Sequence, residues 1–285
     1  LWLIIKALWI KIEPPTGLPI TAKEAPALFA MINDLRRQLR APHFHHVLII
    51  DELNAAVVQS PRLGIFGWPR NYLLLGLPLM KTLTVEQFKA VLAHEFGHLA
   101  KQHGQLSNWI YRQRLRWSRL LNILEAHNSR GSFLFKPFLQ WFAPYFNAYS
   151  FPLARANEYE ADATSVRLTS PAATAQALTS INVVGRYLNE QYWPSIHRQV
   201  KDVAQPNFAP FSAMGQGMTQ TLQSEVSQGW LGQALERVTS IADTHPALKD
   251  RLAAIGAAPS LHLPTENESA DALLGSAKER IAKHF

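Results

Sequence analysis

Cysteine is absent from the 285 residues. That excludes disulfide scaffolds, Cys-ligated zinc modules, iron–sulfur clusters and thiol catalysis, so any metal must be held by His, Asp or Glu. Charge is sparse as well, at 17% Asp, Glu, Lys and Arg, and the net +7 is too modest for this length to name a partner. The opening apolar run, Leu1 to Ile12, is broken by Lys6 and Lys11 and falls short of the ~20 residues that a spanning helix needs. With Trp2 and Trp9 near its ends, residues 1–17 read either as the trailing end of a longer membrane-proximal segment, closed by the connector Glu13 to Gly17, or as an apolar core element. What the chain does have is hydrophobicity: 47% of its residues are apolar, enough at this length to exclude disorder and require a folded core.

Periodicity and punctuation divide the remainder. From Thr21 to Arg40 the apolar positions Ala25, Leu28, Phe29, Ile32, Leu35 and Leu39 recur at helical spacing behind a Thr21/Glu24 capping box, which predicts an amphipathic helix. The runs Phe44–Ile50, Ala55–Val58 and Tyr72–Leu77, separated by Asn, Pro and Gly, predict a small sheet. Thr84 and Gln87 form a second capping box, opening a helix that carries Val85, Phe88, Val91, Leu92 and Leu99 towards Gln102, with Gly104 beyond it. Further helices are expected over Gln105–Ala126 and Ala154–Leu168, and Ser170 with Pro171 starts another that runs to Glu190. Met214–Trp230, Pro246–Ile255 and Ala270–Lys283 also read as helical, and Ala257–Glu268 as a linker. No repeat or low-complexity block interrupts this order, so one domain over residues 18–285 is expected, helical in its C-terminal part from 171.

Within the second capped helix lies His94-Glu95-Phe96-Gly97-His98, a match to H-E-x-x-H. Four residues advance a helix by about 400°, so the two imidazoles stand one turn apart on nearly the same face, where both can reach one zinc ion. Glu95, about 100° round from His94, can address a water in the open coordination position. Two surface histidines with an exposed glutamate would give the same letters. Here, however, Ala93, Phe96, Leu99 and Ala100 make the stretch apolar nearly all round, and burying three unpartnered polar groups would be costly.

A third protein ligand is required, and the best candidate lies in Arg155-Ala156-Asn157-Glu158-Tyr159-Glu160-Ala161-Asp162. Glu158 and Asp162 share a helix face at i, i+4. Glu158 can then bind the metal while Asp162 accepts a hydrogen bond from the far nitrogen of a ligating histidine and fixes its tautomer. Glu160 points about 200° away, towards solvent. Without the upstream motif, the same residues would read as an acidic face with Arg155 as ion-pair partner.

At this point the chain resembles the gluzincin peptidases of the HtpX and CAAX-prenyl-protease group, including OMA-type and periplasmic quality-control members. The resemblance rests on the H-E-x-x-H segment, on Arg155 to Asp162, which is close to R-x-x-E-[FY]-x-A-D, and on His245-Pro246 followed by Arg251, like H-P-x-x-x-R. It spans Thr21 to Gly275. It implies an α+β fold, mostly helical and zincin-like with a small β-sheet. It also implies a zinc-dependent endopeptidase with one Zn2+ per chain, His94, His98 and Glu158 as ligands and Glu95 as general base. By the same resemblance His245 and Arg251 lie near the substrate carbonyl and stabilise the oxyanion. Read without it, they are ordinary helix-start chemistry, and a spacing of six does not bring two side chains to one helix face. The resemblance further implies peptide or protein substrates, membrane or misfolded clients among them, and an extended substrate pairing with an edge strand at Ala55–Val58 or Arg62–Phe66.

Two surface features bear on partners. Pro137 to Ala154, within an insert at 131–154, lacks charge and holds seven aromatics, with Phe138, Trp141, Phe142, Tyr145, Phe146 and Tyr149 at helical spacing. Its prolines make a poor spanning helix, leaving an aromatic surface against lipid headgroups, a cover for the cleft, or a packed core stripe. Together with the family's membrane members this gives membrane association as the expected localisation. Arg112, Arg116 and Arg119, among Trp109, Tyr111 and Trp117, read as a solvated basic face or one resting on anionic lipid, because no recognised nucleic-acid motif accompanies them. His43, His45 and His46 read as surface residues, since no acidic residue is spaced to complete a site with them. The competing reading from another class is a non-catalytic membrane-surface binding module with a structural or vacant zinc site.

Overall fold

The computed structural model of the chain describes residues 14–63, 66–100, 132–201, 209–222, 225–240, 243, 245–265 and 267–285. The run Leu1–Ile12, the helix expected over Gln105–Ala126 and the Arg112/Arg116/Arg119 row lie outside the described residues.

Four strands form one mixed sheet: β1 (Leu18–Ile20), β2 (His46–Ile50), β3 (Ala55–Leu63) and β4 (Phe66–Gly76), in the order β1-β2-β4-β3. β1 runs antiparallel to β2, β2 parallel to β4, and β3 and β4 make an antiparallel hairpin that leaves β3 at an edge. Helix α1 (Pro26–Leu39) enters the core beside the sheet through Leu28, Ile32 and Leu35. It begins four residues later than its capping box predicts, with Ala25 rather than Thr21 as N-cap. Thr21 and Glu24 do bond, with the Thr21 amide 2.9 Å from Glu24 Oε2, but they close a turn rather than a helix. Pro26 is the reason: a proline fits the first helical position and pushes the residue before it, here Ala25 at φ −130° and ψ 61°, out of the helical region.

After the short α2 (Leu77–Thr82) comes α3 (Val85–Ala100), where local chemistry and outcome agree. The Thr84 amide donates to Gln87 Oε1 at 3.0 Å and the Gln87 amide donates back to Thr84 Oγ1 at 3.3 Å, a complete capping box. Phe88, Leu92 and Phe96 recur every four residues and are fully buried in the main core with Ile49, Leu73 and Leu75 of the sheet. Each contributes roughly 1.5–3 kcal/mol of burial. This anchored face leaves His94, Glu95 and His98 to the other sides of the helix.

The helical half departs from expectation in three places. First, α4 (Ser132–Leu168) is one helix that runs through Pro137, Pro144 and Pro152. A proline removes one hydrogen bond and bends a helix without ending it when neighbouring turns are supported, and here Phe142 stacks on both Phe138 at 5.5 Å and Phe146 at 5.6 Å. Second, α5 (Pro171–Tyr187), capped by Ser170 with the Ala173 amide 3.0 Å from its Oγ, continues through a π turn (Leu188–Tyr192) into α6 (Trp193–Lys201). Third, after α7 (Pro210–Leu222), α8 (Glu225–Glu236) and α9 (Leu248–Ala254), the last helix is split into a 3-10 turn (Ala270–Leu274) and α10 (Ala277–His284). Gly275 makes that break. It sits at φ +54°, and a Cβ there would fall 2.7 Å from the carbonyl oxygen of Glu24. The described residues of the expected linker over Ala257–Glu268 contain no helix, yet it is tied down: the His262 carbonyl accepts from both Gln87 Nε2 and Ser180 Oγ at 3.0 Å.

Candidate metal centre

The centre forms where α3 crosses α4. Gly97 permits the approach: a Cβ there would meet Thr164 Cβ at 3.3 Å and Ala161 Cα at 3.4 Å, tight against both. Ser165 Oγ donates to the Ala90 carbonyl at 2.7 Å and ties the same two helices one turn further along. Closeness here carries Glu158 and Asp162, successive turns of α4, up to the histidines of α3.

His94 Nε2 and His98 Nε2 lie 3.1 Å apart, with their rings nearly perpendicular. Glu158 Oε2 is 3.5 Å from His94 Nε2, and Glu158 Oε1 is 3.3 Å from His98 Nε2. Three different donors therefore surround one point. Ions bound at ~2.0–2.1 Å by tetrahedral N and O ligands have ligand–ligand edges of about 3.3 Å, and the three separations match that. His94, His98 and Glu158 are the one set of three such side chains that converges in this way among the described residues. The donor set, neutral imidazole nitrogens and a carboxylate with no sulfur, is one that zinc accepts.

Behind these three side chains stand further partners. His94 Nδ1 lies 2.9 Å from Asp162 Oδ1, so its N–H donates there and Nε2 is the nitrogen turned toward His98 and Glu158. Arg251 grips Asp162 by a fork, Nε to Oδ2 at 2.8 Å and Nη2 to Oδ1 at 2.6 Å. His245 Nδ1 donates to Glu158 Oε2 at 2.6 Å, while its side chain stays 52% exposed. The two residues of the third motif thus meet successive turns of α4, which their spacing in a helix would forbid. They do so because α9 starts only at Leu248, leaving His245 and Pro246 in the non-helical approach to it. Arg155 holds the same segment to α4, bonding Tyr159 at 2.7 Å and Asp250 at 3.4 Å.

These contacts fix the charges. Burial pushes the Glu158 pKa up, but hydrogen bonds from His245, His94 and His98 outweigh it and hold the carboxyl far below its ordinary range. Asp162 follows the same pattern: burial opposes its charge, and the bonds from Arg251 and then His94 overcome it, lowering its pKa. For His94, burial opposes the charged ring, while hydrogen bonds to Asp162 and Glu158 favour it more, raising the pKa to about 9. Burial likewise opposes the Arg251 charge, and the bond to Asp162 restores it, leaving its pKa raised. The metal-free centre is therefore two carboxylates matched by a guanidinium and an imidazolium, with a proton on His94 near where a cation would sit.

Glu95, His94, Asp162, His245 and Arg251 share the wall of a cavity of about 200 Å³. The same cavity is lined by Asn54 and Ala55, at the start of edge strand β3, and by Leu178 and Ile181 of α5. Nothing in the sequence marks the α5 residues, whose apolar positions read as ordinary core, and Gly97 is visible only as a variable letter inside the motif. His43, His45 and His46 lie apart from the centre: the Asn71 amide donates to His45 Nδ1 at 3.1 Å, and His46 stacks on Tyr72.

Two histidines one turn apart, a glutamate brought in by a second helix and a second glutamate on the same cavity wall make a centre of metallopeptidase type on an α+β domain. The chain belongs to peptidase family M48, whose family model matches residues 23–258. Among solved structures, the crystal structure of Ste24p from S. mikatae is similar at a TM-score of 0.40 and 18% identity, over 89% of this chain and 56% of that one. This chain thus spans little more than half the length of that relative. No curated protein matches it.

Proposed function

We propose that the chain is a zinc-dependent metalloendopeptidase acting in membrane-associated protein processing or quality control. The observation that carries this reading is the convergence of His94, His98 and Glu158 at tetrahedral-edge distances beside Glu95. The two histidine Nε2 atoms and the Glu158 carboxylate would hold the ion. When bound, zinc supplies a Lewis acid that polarises a peptide carbonyl and acidifies water.

The chain's own groups do the rest. Glu95 takes a proton from the attacking water in the cleft and later gives it to the departing amine nitrogen. In its imidazolium form His245 donates Nδ1–H to Glu158 and keeps Nε2–H for the oxygen that gains charge at the carbonyl. Arg251 is a positioning residue: its Nε and Nη2 hold Asp162, and Asp162 holds the tautomer of His94. The edge strand β3, whose first residue borders the cleft, is suited to hold an extended substrate by main-chain hydrogen bonds.

Membrane contact has its own support. Trp141, Tyr145 and Tyr149 on α4 are exposed, Tyr149 at 86%, along a stretch without charge, a surface suited to the headgroup region. Among the described residues no helix is long and apolar enough to cross a membrane.

Casein digestion tests the catalytic proposal. Wild type is expected to cleave casein and the Glu95→Gln variant to lose at least 100-fold in rate while retaining its zinc, in line with the ~10²–10⁴-fold worth of a general base. Unchanged cleavage by that variant would overturn the assignment.

A further inference from the structure

Next to the metal cleft lies a larger cavity of about 720 Å³, walled by the 51–53 loop, α5, the π turn and the first residues of α6 and α7. Leu53 and Ile181 belong to the walls of both spaces, so the two adjoin across these side chains. The size is that of a ligand site with room for more than one side chain. Its lining is of two kinds: Leu53, Ile181, Leu188, Trp193 and Phe211 give an apolar floor, and Asp51 and Glu52 give an exposed acidic rim.

The cavity follows from features of this sequence. Gly185 faces Leu53, and a Cβ there would already stand 3.5 Å from Leu53 Cδ2, so any longer side chain would enter the space or displace Leu53. The π turn at Leu188–Tyr192 places Leu188 and Asn189 in the wall, and such turns are frequent at functional sites. Trp193 and Phe211 meet edge to face at 5.5 Å and stay only partly buried, leaving aromatic surface in the cavity. In a chain of net charge +7 this rim has the opposite sign, and among the described residues no cation lines the cavity and neither carboxylate forms an ion pair.

We infer that this cavity is a substrate subsite selecting polypeptides that carry a large apolar residue next to a lysine or arginine close to the cleaved bond. The inference rests on the peptidase reading and specifies what that site takes. The apolar side chain would leave water for Trp193, Phe211 and Ile181, a concave surface with no polar demand. The neighbouring cation would meet Asp51 and Glu52, with its aliphatic stem along the same floor. Exposed carboxylates attract weakly in water, and the attraction grows as the bound peptide excludes solvent. The charge preference is therefore expected to be about three- to tenfold, and the apolar preference larger.

The test is equilibrium binding, read by fluorescence anisotropy, to the zinc-loaded full chain carrying Glu95→Gln. The probes are fluorescein-labelled Ala/Ser peptides with a central Leu-Lys, Leu-Gln or Ser-Lys pair. Leu-Lys is expected to bind tightest. Adding Asp51→Asn with Glu52→Gln, both exposed and outside the metal centre, should bring Leu-Lys down to Leu-Gln without weakening Leu-Gln. Ile181→Glu should remove the Leu preference, and Trp193→Ala serves the same purpose should the first variant not fold. Equal binding of the three peptides, or a lysine preference that survives loss of both carboxylates, would overturn the inference. Wild-type cleavage of casein is scored separately. Cleavage with no pair preference sinks the subsite alone, whereas pair preference with no cleavage sinks the peptidase reading and leaves the peptide site standing.

Discussion

Asp162 stands between His94 and Arg251, 2.9 Å from the imidazole Nδ1 and bound through both oxygens to the guanidinium. This one carboxylate fixes which nitrogen of His94 faces His98 and Glu158. Asp162→Asn keeps the shape but offers its amide group to the ring or to the arginine, so one of the two bonds is lost. Zinc affinity is expected to fall about 10–100-fold, measured by competition with a chromogenic chelator, with the far-UV spectrum unchanged.

Arg251 and His245 separate stability from chemistry. Arg251 is largely buried against the fully buried Asp162, so Arg251→Ala strips that carboxylate of its guanidinium, leaving His94 as its one charged partner among the described residues, and should cost roughly 3–5 kcal/mol in urea unfolding. His245 is half exposed, so His245→Ala should leave unfolding within about 1 kcal/mol of wild type. The same variant should lower kcat about 10²–10³-fold, as expected for loss of an oxyanion donor. A large fall in stability with normal kcat for His245→Ala would reverse these assignments.

The proton on His94 gives the metal-free protein a pH signature. Its folded pKa, about 9, lies above the ordinary value of 6.5. The group therefore contributes stability that is fully present below pH 6.5 and is lost as pH rises through about 9. Glu158 and Asp162, with lowered pKa values, contribute in the opposite sense: their stabilisation holds above the ordinary carboxylate range and is lost in acid. Urea unfolding of chelator-treated protein should show both slopes. Apparent zinc affinity should rise with pH towards 9, because the ion must displace that proton.

The close crossing at Gly97 makes a steric prediction. Gly97→Val places two methyls where one Cβ already meets Thr164 at 3.3 Å, so α3 and α4 must separate. Stability should fall by about 1–3 kcal/mol, and zinc affinity should fall with it because Glu158 moves away from the histidines. Calorimetry with and without zinc reads both.

The aromatic face of α4 predicts lipid binding. Wild type should float with anionic liposomes in a sucrose gradient, and combined Trp141→Ala, Tyr145→Ala and Tyr149→Ala should stay at the bottom while still binding zinc. Equal flotation of the two would remove that surface from the account.

What could be read in the sequence was local. The cap, length and apolar face of α3 lie within a few residues of one another, and so does the i, i+4 pairing of Glu158 with Asp162. The start of α1 was displaced because Pro26 dictates the backbone of Ala25, a stronger constraint than the Thr21/Glu24 bond. Continuity of α4 through Pro137, Pro144 and Pro152 was hidden, since a proline in isolation reads as a stop and the aromatic stacks that support the helix count only once it has formed. The meeting of His245 with Glu158 and of Arg251 with Asp162 depends on where the chain returns after 87 and 89 residues, which no short-range pattern specifies. Both cavities belong to the same non-local class.

Zinc content by native mass spectrometry tests the central claim most directly. Wild type is expected to carry one zinc per chain, and Glu158→Ala, prepared at the same free zinc, to lose most of it while remaining folded. A wild type without zinc, or a Glu158→Ala variant with full occupancy, would contradict the account.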